Sequence, residues 1–143
     1  MKRIAILTAL TFGLCAALTG CPSSTTAKAA QALDIASASV AGFQQAEITA
    51  HAQGLVPDDD HVFIEQSLLT LGQAGKAADA CVKFAQTNAG IVACVNIAIT
   101  TVDNLNSEGN LHLKSAKAKS DYALAMTGVK TALSTITALL GGN

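Results

Sequence analysis

Residues 122–140 read YALAMTGVKTALSTITALL. Within them Tyr122, Met126, Val129, Leu133, Ile136 and Leu140 recur at alternating steps of four and three. That spacing puts six apolar side chains on one face of an α-helix and leaves Lys130 and the threonines on the other. The pattern predicts a helix over 115–140, ended by Gly141-Gly142. A stripe of this kind cannot stay exposed, so it demands partner helices with matching stripes.

Those partners are found upstream. Ile91, Val95, Ala98, Val102 and Leu105 predict a helix over 91–105. Between it and the last helix, Asn106-Ser107-Glu108-Gly109-Asn110 has the composition of a loop, with Leu111 and Leu113 expected to tuck against the bundle end. Ile64, Leu68, Leu71, Gly75, Ala78, Val82 and Ala85 predict a helix over 59–87, with Asn88-Ala89-Gly90 as a tight connection after it. Gly72 and Gly75 weaken that helix by about 1 kcal/mol each relative to alanine, and mark either a close helix approach or a kink. Leu33, Ala36, Val40, Phe43 and Glu47 predict a first helix over 27–53, with Gly54 as its C-cap and Pro57 separating it from the next. Four amphipathic helices, short connections and no β-rich segment predict an all-α, antiparallel four-helix bundle. Stripe periods near 3.5 predict near-parallel packing.

The N-terminus has a different character. Lys2 and Arg3 precede an apolar run from Ile4 to Leu18, which is the form of an export signal. The run ends Leu18-Thr19-Gly20-Cys21, and in this it resembles the lipobox of bacterial lipoproteins. The resemblance covers about twenty residues and implies nothing about the domain that follows. It implies a signal peptide over 1–20, cleavage before Cys21 and lipidation of the Cys21 thiol, which leaves a tether over 21–26 ahead of the helical domain that the stripes predict over 27–143. It also implies a place in the cell envelope, facing the periplasm and held to the membrane by lipid. Pro22 stands where an inner-membrane retention signal would have Asp, so the outer membrane is favoured in a two-membrane organism. Several buried acyl chains anchor stably where one does not.

Losing Lys2 and Arg3 with residues 1–20 reduces the basic residues from 9 to 7 against all 10 acidic ones, so the net charge moves from −1 to −3. No arginine or tryptophan remains, and the aromatics are Phe43, Phe63, Phe84 and Tyr122. Phosphate clamps favour arginine and base stacking needs aromatic rings, so nucleic acid is not an expected partner.

Cys15 lies in the signal and Cys21 takes the lipid, which leaves Cys81 and Cys94. An even pair in an exported chain, flanking one tight helical connection, predicts a disulfide. In an antiparallel hairpin the two are offset by about three residues, or ~4.5 Å along the axis, within side-chain reach.

The bundle topology gathers one further group. The first helix ends, the second begins, the third ends and the fourth begins at the end opposite Cys21. That end holds His51, Asp58, Asp59, Asp60, His61, Glu108 and His112. Imidazole and carboxylate are ligands for divalent metals, which makes His51, Asp58, Asp60, His61 and His112 the candidate metal ligands. The plainer alternative is that the acids cap a helix and the histidines are solvated. No His-Glu-x-x-His spacing, glycine-rich phosphate loop or catalytic triad pattern is present. The expectation is therefore a protein that is not an enzyme and needs no cofactor. Three roles fit: an envelope structural or interaction module with a protein partner, a periplasmic metal-binding protein, or a small membrane-active lipoprotein.

Overall fold

The computed structural model describes residues 24–141. Cys21 and the signal segment lie outside them. The described residues form four α-helices and no strand: α1 (Thr25–Ala52), α2 (Asp58–Phe84), α3 (Asn88–His112) and α4 (Ala116–Gly141). Each helix packs on its chain neighbours and α4 closes back on α1, while the diagonal pairs hardly touch. This is the antiparallel four-helix bundle, with each helix about 40 Å long.

Each helix contributes a heptad seam. Ala29, Leu33, Ala36, Val40, Phe43 and Glu47 line α1, and Asp60, Ile64, Ser67, Leu71, Ala78 and Val82 line α2. Ile91, Val95, Ala98, Val102, Leu105 and Gly109 line α3, and Ala118, Tyr122, Met126, Val129, Leu133, Ile136 and Leu140 line α4. Steps of four and three recur throughout, as left-handed 3–4 packing requires. Four seam positions break the apolar rule: Glu47, Asp60 and Gly109 at one end of the bundle, and Ser67 about two turns along α2 from Asp60.

The helix ends follow from local chemistry. Ser24 Oγ accepts from the Ala27 N–H at 3.2 Å and starts α1 at Thr25, two residues ahead of the expected 27. At the other end Gly54 takes φ +69°, its N–H donates to the His51 carbonyl, and the Leu55 N–H donates to the Ala50 carbonyl. These two bonds make a Schellman cap. Thr87 Oγ1 accepts from the Gly90 N–H at 3.0 Å, so Asn88-Ala89-Gly90 is the first turn of α3 and the connection is 85–87.

Three further expectations are corrected. Residues 106–112 are helical rather than a loop, because the α3 seam runs on to Gly109 and tertiary packing overrides weak local propensity. A Cβ on Gly109 would lie 2.4 Å from Tyr122 Cε1, so the Tyr122 ring occupies the space that any other residue would fill. Leu113 is buried as expected, whereas Leu111 points outward. Gly72 and Gly75 do not mark a close approach: α2 is helical through them, and no atom beyond the adjoining helix backbone lies within 4 Å of a Cβ built at either. They border a shallow groove between α1 and α2.

Cys81 and Cys94 form a disulfide across a sequence separation of 13, with Cα atoms 5.6 Å apart. The bond ties the end of α2 to the start of α3, at the end of the bundle where α1 begins.

Candidate functional site

The opposite end gathers the three histidines and the Asp58–Asp60 run. Its frame is the 53–57 turn between α1 and α2 and the 113–115 turn between α3 and α4. Beneath it lie aromatic rings, with Phe43 and Phe63 at 6.3 and 5.9 Å from Tyr122, centroid to centroid. Burial pushes the Tyr122 phenol above its usual range, and its hydroxyl donates to the Leu105 carbonyl at 3.2 Å.

The five expected metal ligands do not form one group. Asp60 is buried, and its two oxygens accept the backbone N–H groups of Lys114 and Ser115, each at 2.8 Å. Those donors precede α4, so Asp60 caps a helix to which it does not belong. The negative charge sits where the α4 macrodipole favours it. Asp58 is almost fully solvated and lies 3.8 Å from His51 Nε2. His112 stacks on Phe63 at 5.3 Å. His51 donates from Nδ1 to the Val56 carbonyl at 3.0 Å, which fixes that nitrogen as the protonated one, since a carbonyl only accepts. Neighbouring Asp59 pairs with Lys114 at 2.5 Å, and the hydrogen bond holds the Asp59 carboxyl below its usual range and the ammonium above.

His61 has the partners that sequence reasoning missed. Its Nδ1 donates to both carboxylate oxygens of Glu47, at 2.9 and 3.0 Å. Its ring stacks flat on His51, centroids 3.9 Å apart and planes within 4°. Glu65, one turn along α2 from His61, accepts at Oε2 from Gln44 Nε2 at 3.0 Å. Glu65 Oε1 is shut off from solvent and finds no hydrogen-bond donor among the described residues. One ligand atom from each of Glu47, His61 and Glu65 lies within 4.8 Å of the others. Two sequence signals pointed here: Glu47 occupies a core position of the α1 stripe, and His61 and Glu65 have the i, i+4 spacing that puts them on one face. Chemically the arrangement is one imidazole and two carboxylates, a donor set for a divalent cation.

Compared with known proteins, the chain matches no family model, no curated protein and no solved structure.

Proposed function

We propose that the chain is a lipid-anchored helical module of the bacterial cell envelope, held by Cys21 and serving a structural or protein-interaction role. The observation that carries this reading is Leu18-Thr19-Gly20-Cys21 placed just ahead of the helix cap at Ser24. Three residue steps from Cys21 to Ser24 span at most about 10 Å. A lipid on Cys21 would therefore hold the near end of the bundle against the bilayer surface. The chemistry of that end supports the reading. The last turns of α2 and α4 and the first turns of α1 and α3 carry no acidic residue. Phe84 there is 85% exposed, and Leu139, in the last turn of α4, is also exposed. The Cys81–Cys94 disulfide supports an oxidising compartment. The far end, with its charges, would face a partner across the periplasm.

The test is Cys21→Ser in the native organism. Loss of acylation and accumulation of the uncut precursor are expected. Normal processing and release of that variant would defeat the anchor, and crosslinking in the cell would identify the partner.

A second reading, a small membrane-active lipoprotein, is favoured by α3 and α4, which are long and apolar enough to cross a membrane. Ile97 and Leu124 stand exposed on them. The Lys130–Asp103 pair between these two helices weighs against insertion. Alkaline extraction of vesicles carrying the protein separates the two readings, since a protein with inserted helices would resist it after its acyl chains are removed.

A further inference from the structure

We propose that Glu47, His61 and Glu65 form a binding site for a divalent transition metal, with zinc the best-matched ion. The first argument is geometry. Zinc bonds of roughly 2.0–2.2 Å place tetrahedral ligands about 3.3–3.6 Å apart. Three donors already within 4.8 Å of one another reach that spacing by small side-chain rotations. All three stand on α1 and α2, within rigid helix rather than on a loop. Water completes the coordination, as at sites with three protein ligands.

The second argument is charge. Glu47 is 4% exposed and occupies a seam position of α1 whose other members are all apolar. A buried carboxylate is costly without compensation, and beside it lies a second carboxylate with an orphaned, solvent-free oxygen, Glu65 Oε1. One histidine cannot neutralise both. A dication does so, and gives the orphaned oxygen a partner.

The third argument is positioning. The Gln44 amide holds Glu65 through Oε2 and leaves Oε1 for the ion. The His51 ring, itself fixed by its bond to Val56, holds His61 by stacking. Supporting contacts of this kind orient metal ligands in protein sites. The imidazole selects for zinc, copper or nickel over calcium or magnesium, which take oxygen ligands. Coordination at Nδ1 displaces the proton now shared with Glu47; in the neutral imidazole that proton passes to Nε2, and the ring binds the ion as a neutral ligand.

The experiment is isothermal titration of the full chain in detergent with zinc sulfate after chelator treatment, and cobalt absorption as a second readout. Saturable one-to-one binding and a raised melting temperature are expected. His61→Gln and Glu65→Gln should each weaken binding by about tenfold or more, and Gln44→Ala by about tenfold through its supporting role. Asp58→Asn and His112→Gln should leave it within about threefold, because neither side chain belongs to the set. Glu65→Gln sits at a half-buried position and keeps the side-chain shape, so it reports on binding even if Glu47→Gln fails to fold. No binding, or equal losses in the Asp58 and His112 variants, would overturn the site and indicate only diffuse attraction to surface carboxylates.

Discussion

At the scale of single residues, the end of the bundle opposite α1's start depends on two that look unremarkable in sequence. Gly109 sits in a run with loop composition, yet its missing side chain is what admits the Tyr122 ring. Gly109→Ala should therefore destabilise the fold by about 1–3 kcal/mol through overpacking, despite alanine's better helix propensity. Gly72→Ala is the matched control. It adds the same methyl where no atom lies within 4 Å, and should stabilise by up to about 1 kcal/mol. Opposite shifts in urea midpoint are expected, and shifts of the same sign would disprove the packing account. Asp60 is the other such residue. The sequence made it a candidate metal ligand; the structure shows both of its oxygens accepting from the Lys114 and Ser115 N–H groups. Asp60→Asn keeps one acceptor and turns an amide toward a backbone donor, so a loss of about 1–3 kcal/mol is expected in denaturant titration. The sequence showed that acids crowd the start of α2. It could not show that one of them serves α4, because that contact spans 54 residues.

At the scale of elements, the stripes were legible and the ends were less so. Periodicity reports a summed burial along a whole helix, which is why all four helices could be read directly. Ends depend on which of two weak local preferences tertiary contacts favour. The run 106–110 has loop composition, yet it is held as helix by the Gly109–Tyr122 fit and by Ser107 Oγ bonding back to the Asp103 carbonyl. The Cys81–Cys94 pair was legible because hairpin register is nearly fixed once both stripes are known. For the candidate site, one of five expected ligands, His61, remains in the cluster. Glu47 was visible as an acid in an apolar stripe, but only the fold shows that it faces His61 from α1. The α2–α3 hairpin carries its own prediction. Replacing Cys81 and Cys94 together by Ser should cost about 3 kcal/mol in the chain-entropy model for a loop of this size. Hydrogen exchange should quicken most around 78–95, next to the lost link. Uniform quickening over all four helices would mean that the bond acts only through global stability.

At the scale of the whole molecule, the two ends are chemically unlike. One holds the disulfide, exposed Phe84 and no acid in its terminal turns. The other holds the histidines, the Asp58–Asp60 run and most of the aromatic rings. A lipid on Cys21 would turn this difference into an orientation, with the apolar end on the bilayer and the polar end about 40 Å away. The sequence contains no tryptophan, so a single introduced one reports without background. Phe84→Trp replaces one exposed aromatic ring by another at the near end. Leu111→Trp places the indole at a position 81% exposed at the far end. In vesicles carrying the acylated protein, the Trp at position 84 should emit at shorter wavelength than in detergent-free solution and be quenched by brominated lipid, because indole favours the membrane interface. The Trp at position 111 should stay water-like and resist that quenching. Both variants retain the fold's core, so a difference between them reads orientation rather than stability. Equal quenching at the two positions would show the bundle lying along the membrane, and quenching at 111 alone would show it inverted.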